Sequence, residues 1–552
     1  MASDAKAILS HPRSTDLQLD AVRAWLWTEG PLVALAGIAF AYAAMFLSGL
    51  HLFDNDYDWI NQATDTGWMA ILGEILRPVP AQWGFQDRPV QVLVFKILHS
   101  LFGYAPAAYY TFKALLFAGI TYGIARLTLT LGLNRPTALL AGGVFALASP
   151  GQASALWVSD FELLAEILII LSLAQFWRLT QRLDHSRIQE ILHQTLFVLI
   201  VVAAHRTKGS AKLIPAICVV YLALYHRDQI RRFMPAMAAI ALTIVPVFQL
   251  LENPVPPFVP FAKDQSQGWM WKPANLGTLT TLLVGNFHPI GGTNGPDIAF
   301  SILAVLTPAI LWPVAAGTVF LCIRERKSFS ERGLVLVSAW ALACIGAYAS
   351  FPKLPEEFMA RYVVVGLVPL SILSGWVLST ATARWTRRLA VPALAAVLML
   401  HAGHNLDSTR HLRDTLGQLI VAYDKARTHI ATQISESDIL IIGFDYGYNK
   451  RATDSNRYHR EKLSFNTVDD LRPFHVLVRT DQNIDAIEHR TPMQDIQKAV
   501  KLPAMGGGMR VKVRPIKTFA GLTDSFYDRN IYRSRQTFAG ILYEVTYEQG
   551  NS

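Results

Sequence analysis

Long apolar segments alternate with short polar connections from residue 31 to residue 403. A bilayer core about 30 Å thick needs about 20 mainly apolar residues for each spanning helix. The pattern therefore predicts a membrane protein with an all-α membrane region of about eleven transmembrane helices. The predicted spans lie near residues 31–50, 107–131, 137–150, 162–178, 189–204, 213–226, 232–251, 298–322, 333–351, 361–381 and 389–403.

The basic residues lie in every second connection between these spans. Lys and Arg are enriched in cytoplasmic loops, so these connections and the N-terminus are predicted to be cytoplasmic. The same distribution explains the net charge of +9 without nucleic-acid binding, which we do not predict. The other connections are then external, and they comprise residues 51–106, 149–161, 205–212, 252–297 and 351–360.

One apolar stretch, from Pro89 to Phe102, is shorter than a span and contains Lys96 and His99. We interpret it as a short helix at the outer membrane interface. If it were a full span, every later connection would change sides, and the basic loops would lie outside.

The composition becomes polar after His401 and stays polar to Ser552. Helical patterning at residues 406–434 and strand-like runs at residues 438–444 and 541–547 predict a small α/β domain. The predicted division is a membrane domain, 1–403, and an external C-terminal domain, 404–552. The three cysteines lie in apolar segments, so no disulfide or metal-ligand spacing is expected: Cys218, Cys322 and Cys344.

The first external loop begins with Asp54, Asp56 and Asp58 directly beyond the first span. In an extended segment or a turn, these positions lie on one side and can form an acidic pocket. Mutual repulsion there would raise one carboxyl pKa and suit a general base. The alternatives are a solvated acidic loop, or N-caps for a helix that starts at Trp59.

Cationic residues cluster at the outer end of another predicted span, at His205, Arg206 and Lys208. Positive charge on the outer side opposes the usual bias, and it suits a phosphate group. Further external candidates can each be structural ion pairs or, for Arg361, a side chain that reaches the interface. They are Arg88, Asp160, Glu162 and Arg361.

Four motifs occur in a specific order along residues 32–369. An acidic first loop is followed by Arg88-Pro89, then by a Lys-x-Ser-Ala segment at Lys208 with Pro215, and finally by Arg361-Tyr362. Together they resemble the GT-C superfamily of multi-span glycosyltransferases that use lipid-phosphate sugars. The sequence departs from that pattern at Asn55, where the family commonly has Asp, and at Gly209, where it has Glu.

The resemblance implies a role for each candidate. Asp56 would be the catalytic base, within an acidic pocket that includes Asp54, Asp58, Asp160 and Glu162. The donor phosphate would be bound by Lys208, Arg206, His205, Arg361 and Arg88. Because of Asn55 a two-carboxylate metal site is left open; no cofactor is firmly expected, and a divalent metal would use Asp56 and Asp58.

The implied function is inverting transfer of a sugar from a polyprenyl-phosphate donor to a glycan, lipid or protein acceptor. The site would face outward from a bacterial inner membrane. One alternative is a transporter or flippase for a lipid-linked solute, in which the cations guide an anion across. Another is a surface-glycan polymerase or ligase that uses a lipid-diphosphate donor. The enzyme is favoured because the polar clusters lie in loops and no repeated half with broken helices is evident.

Overall fold

The computed structural model describes the membrane region in several blocks and the C-terminal region mainly through its strands. Several expectations fall outside the described residues, apart from a few positions: the spans at 298–322 and 389–403, the outer loops 252–297 and 351–360, and the helix 406–434. The described residues are 29–50, 55–76, 88–181, 186–244, 329–349 and 364–380, strands between 439 and 549, and a few single positions.

The described part of the membrane region is helical. Each predicted span that falls on described residues coincides with a helix. The helices are α1 (Gly30–Leu47), α2 (Asn55–Asp65), α3 (Trp68–Leu76), α4 (Pro89–Phe102), α5 (Pro106–Thr130), α6 (Arg135–Leu147), α7 (Ser149–Leu156), α8 (Glu162–Gln181), α9 (Arg187–Thr207), α10 (Leu213–Tyr225), α11 (Ile230–Ile244), α12 (Phe329–Ala349) and α13 (Val364–Thr380).

Local sequence signals set several helix ends. Proline is the first residue of α4 and of α5. Proline has no N–H, and an N–H at this position would have no hydrogen-bond partner within the helix. The Asn134 side chain accepts a hydrogen bond from the Thr137 N–H at 2.9 Å and so caps α6. Ser186 and Gln189 form a capping box at the start of α9. Between α4 and α5, Gly103 has a φ of 56°, a conformation that favours glycine.

Four of the described helices, α1, α5, α8 and α9, are long and apolar enough to cross a bilayer. Shorter apolar helices include α4, α6 and α10. The chain is an integral membrane protein. The stretch from Pro89 to Phe102 is a helix with the expected bounds, while the total of eleven spans stays a prediction.

Small residues allow close approach between helices in the bundle. At Gly375 of α13, an added Cβ would lie 2.7 Å from both the Ala141 backbone nitrogen and the Thr137 carbonyl oxygen of α6. At Gly142 of α6, it would lie 2.7 Å from a methyl carbon of Leu35 in α1. The backbones of α6 and α13 therefore pack too closely for any side chain at position 375.

We expect Gly375→Ala to lower the free energy of unfolding by about 1 to 3 kcal/mol, since the added methyl meets immobile backbone atoms. Thermal unfolding of the detergent-solubilised protein measures the change. Gly143→Ala is the matched control, because an added Cβ there has no neighbour within 4 Å. Equal melting temperatures for the two variants would show that α13 does not pack on α6 at this point.

The described part of the C-terminal region contains a mixed β-sheet with strand order β2-β1-β4-β7-β6. Strand β1 is parallel to β2 and β4, while β7 is antiparallel to β4 and β6. The strands predicted at residues 438–444 and 541–547 are confirmed by β1 and β7. The domain boundary and its outer location stay predictions. The strands are β1 (Ile439–Ile442), β2 (Tyr458–Arg460), β3 (Leu463–Ser464), β4 (Phe474–Thr480), β5 (Val500–Lys501), β6 (Met509–Asp524) and β7 (Arg535–Gln549).

Candidate active site

The turn between α7 and α8, residues 157–161, is bound by side chains from other helices; we call it the junction. The Asp56 side chain, on α2, accepts a hydrogen bond from the Ser159 N–H at 2.7 Å. Gln91, on α4, donates to the Ser159 carbonyl at 2.8 Å. Both Asp56 and Gln91 are fully buried. Ser159 is therefore fixed through its backbone, and Asp56 lies directly beside the junction.

A third helix reaches the junction through Lys113 of α5. Its ammonium donates to the carbonyl oxygen of Asp160, and it lies 5.8 Å from the centre of the Phe161 ring. The side chain is buried, with 1% exposure. Burying a cation is costly unless it is paired or hydrogen-bonded. The hydrogen bond to the Asp160 carbonyl offsets part of this cost and so favours the position of Lys113 at the junction.

Lys208, just after α9, joins the junction to the predicted phosphate cluster. Its ammonium lies 2.7 Å from the Asp160 carboxylate and 3.1 Å from the Glu162 carboxylate. The Asp160 side chain also accepts from the Glu162 N–H at 3.3 Å, at the start of α8. Two acidic candidates, Asp160 and Glu162, and one cationic candidate, Lys208, which the sequence suggested as separate groups, therefore form one network.

Other predicted cations lie around this network. Arg88, at the start of α4, interacts electrostatically with Glu162, and its guanidinium lies 5.9 Å from the Trp59 ring. His205 and Arg206 are buried in the last turn of α9, and Thr207 separates them from Lys208. We use the name junction cluster for Asp56, Asp160, Glu162, Arg88, Lys113 and Lys208.

The acidic first loop differs from the expected conformation. Its residues from Asn55 onward form α2 rather than an extended segment. Successive helical positions turn by about 100°, so the positions of Asp56 and Asp58 do not share a face. The extended segment or turn on which the acidic pocket depended is therefore not formed at Asp56 and Asp58, and α2 begins before Trp59. Asp54 and Arg361 lie outside the described residues.

In the part of the chain that the structure describes, no three His, Cys, Asp or Glu residues are grouped to hold a metal ion. A divalent ion at Asp56 and Asp58 stays a prediction.

Three residues of this region were not identified as candidates from the sequence: Gln91, Lys113 and Glu166. Lys113 and Glu166 are ionisable residues inside predicted spans, and such residues are a recognised signal of function in membrane helices. Glu166 is fully buried one turn after Glu162, and among the described residues neither of its carboxylate oxygens has a hydrogen-bond partner. Gln91 carries no comparable signal.

Among known proteins, similarity to this chain is found only in solved structures. No protein-family model and no curated protein matches the sequence. The structure of ArnT from Cupriavidus metallidurans bound to undecaprenyl phosphate is similar, with a TM-score of 0.54, 14% identity, and coverage of 93% of this chain and 98% of that chain. The chain has the GT-C fold.

A second ArnT structure, in the apo state, gives a TM-score of 0.51 at 14% identity and covers 94% of this chain and 98% of its own. The Archaeoglobus fulgidus oligosaccharyltransferase, in the apo form, gives a TM-score of 0.46 at 12% identity, with 79% of this chain and 65% of that chain covered. The predicted resemblance to the GT-C superfamily is confirmed by the ArnT structures as a similarity of fold.

Proposed function

We propose that this chain is a membrane glycosyltransferase that moves a sugar from a polyprenyl-phosphate donor to a glycan, lipid or protein acceptor. The junction cluster carries this proposal, because it joins a buried carboxylate, Asp56, to a charged network around Lys208. The GT-C fold supports it, since the similar ArnT structure contains undecaprenyl phosphate.

Asp56 is proposed as the general base. The hydrogen bond from the Ser159 N–H holds one carboxylate oxygen in place, so the carboxylate is oriented before substrate binds. Asp56 removes the proton from an acceptor hydroxyl, and that oxygen forms a bond to the anomeric carbon of the donor sugar. The bond from this carbon to the phosphate oxygen breaks, and the lipid phosphate leaves with the electron pair. A single displacement of this kind inverts the anomeric centre.

Lys208 is proposed to bind the donor phosphate. An ammonium has three N–H donors, and among the described residues two acceptors, Asp160 and Glu162, lie within 3.1 Å of Lys208. The remaining N–H can donate to a phosphate oxygen, while the two carboxylates fix the position of the nitrogen. Negative charge that develops on the leaving oxygen is stabilised by this pre-positioned cation. Arg88 and Arg206 would add positive charge around the same group, and His205 would add a neutral imidazole N–H donor.

The position of Lys208 also suits a donor that is anchored in the membrane by a lipid tail. Lys208 follows α9, one of the helices long enough to span a bilayer, so it lies at one end of the helix bundle. An isoprenoid tail can then remain among lipid chains while its phosphate contacts Lys208. We assign this end to the outer face, because the opposite ends of the predicted spans carry the basic loops.

Consumption of donor tests the proposal whichever acceptor the protein uses. Membranes and lipid-linked sugars are prepared from cells that naturally produce the protein, and the purified protein is added to them. The lipids are then followed by mass spectrometry. We expect loss of a polyprenyl-phosphate sugar and release of polyprenyl phosphate. Intact donor that moves between the leaflets of sealed vesicles would instead establish the transporter, and loss of a lipid-diphosphate donor would establish the polymerase or ligase. A parallel assay with a chelator tests the requirement for a divalent metal.

A further inference from the structure

A polar cavity lies between α5, α8 and α9, away from the junction cluster. Its volume is about 430 Å³, and its lining includes Arg126, Arg178, Gln175 and His193. This volume falls within the range of small-ligand pockets in proteins. None of these four residues has a role in the proposed transfer reaction.

The cavity lies at the opposite end of the same helices. Glu162 begins α8 in the junction cluster, whereas Arg178 lies in the last turn of α8. At 1.5 Å for each residue, the two positions are separated by about 24 Å along the helix axis. Arg126 is likewise near the end of α5, while Lys113 is near its start. The cavity is therefore close to the membrane surface that faces away from the proposed active site.

One wall of the cavity is fixed by a buried amide. The Gln175 side-chain nitrogen lies 3.0 Å from His193 Nδ1 and 3.2 Å from the His193 carbonyl oxygen. Gln175 is 6% exposed. The amide has two N–H donors, so it serves both groups when the imidazole carries its own N–H at Nε2. These contacts fix the orientation of the ring in the cavity wall.

The two arginines of the cavity differ in their partners. Arg126 lies 2.8 Å from the Glu29 carboxylate, which also accepts a hydrogen bond from Tyr122 at 2.9 Å. Arg178 has no acidic partner within the ranges that the structure describes. The lining thus carries a guanidinium whose charge no described carboxylate offsets. A planar guanidinium suits two-point recognition of phosphate.

We propose that this cavity binds a phosphate group, with Arg178 as the main contact and with Arg126 and His193 as further donors. Two sources share this chemistry: the headgroup of an anionic phospholipid and inorganic phosphate. The lining lies at the end of the bundle to which basic residues are drawn in membrane proteins, where anionic lipid headgroups are also abundant. The site is separate from the donor phosphate at Lys208, so the proposal does not depend on the transfer reaction.

Titration of the detergent-solubilised full-length protein tests this site. The probes are short-chain phosphatidylglycerol, short-chain phosphatidylcholine and inorganic phosphate, each measured by calorimetry. We expect Arg178→Gln to weaken binding of phosphatidylglycerol about tenfold, the loss typical of one charge-assisted contact, and Arg178→Lys to recover part of it. Stronger binding of phosphatidylglycerol than of inorganic phosphate identifies the lipid headgroup as the source, and equal binding identifies free phosphate.

Arg227→Gln is the matched control. Arg227 follows α10 at the same end of the bundle, is exposed and donates to the Ala223 carbonyl at 2.8 Å, but it does not line the cavity. Equal losses for the Arg178 and Arg227 variants would overturn the proposal, because they would indicate general attraction to a basic surface. Phosphatidylcholine binding as tight as that of phosphatidylglycerol would overturn it as well. Melting temperatures confirm that each variant is folded.

Discussion

Replacement of Asp56 by asparagine is expected to lower the rate of donor consumption at least about 100-fold, because loss of a general base typically costs this factor or more. The fold should persist, since the amide oxygen of asparagine can still accept the hydrogen bond from the Ser159 N–H. Donor consumption by mass spectrometry and the melting temperature of the same preparation separate these two effects.

Asp65→Asn provides the control for this variant. Asp65 ends the same helix, α2, but it is exposed. We expect donor consumption by the Asp65 variant to match that of the unchanged protein. If the Asp56 variant also retained near-normal turnover, Asp56 would not be the base, although the glycosyltransferase function itself would still stand.

Replacement of Lys208 by methionine is expected to lower the free energy of unfolding by about 3 to 5 kcal/mol, the usual cost of removing one partner of a buried ion pair. The Lys208 side chain is 12% exposed, and those of Asp160 and Glu162 are 3% and 6% exposed. Without the ammonium, two neighbouring carboxylates lose their shared counter-charge. Denaturant unfolding in detergent, followed by tryptophan fluorescence, measures the loss.

A triple variant distinguishes the structural role of Lys208 from its role in binding. Lys208→Met combined with Asp160→Asn and Glu162→Gln removes all three charges, so most of the stability should return. Donor consumption should not return, because the ammonium proposed to contact the donor phosphate is absent. Recovery of both stability and transfer would contradict the proposed phosphate contact and leave Lys208 with a structural role alone.

The positions of the membrane helices follow closely from hydrophobic patterning. The apolar runs predicted α5, α8 and α9 with ends within a few residues, because about 20 apolar residues have few alternatives in a bilayer. The bounds of α4 were also predicted, since proline can open a helix and glycine commonly ends one. Patterning along a single segment is sufficient for these features.

The network at the junction could not be predicted in the same way. Asp56 and Ser159 are 103 positions apart, and Lys208 and Asp160 are 48 apart. Such contacts depend on how the helices pack, and no local pattern encodes this. The motifs selected Asp56, Asp160, Glu162 and Lys208 as separate candidates. In the structure Lys208 contacts Asp160 and Glu162, and Asp56 binds the backbone of the adjacent residue, Ser159. Lys113 was overlooked because the apolar residues around it dominate the pattern.

The backbone contacts at the junction have a consequence for evolution. Two of the three helices that hold this turn do so through peptide groups that every amino acid except proline offers in full: the N–H and carbonyl of residue 159. The third uses the carbonyl of residue 160. Natural selection can therefore preserve this arrangement while the side chain at position 159 drifts. Profiles built from residue identity record little of such a constraint, so distant homologues would be found more readily by comparing the anchoring groups in space.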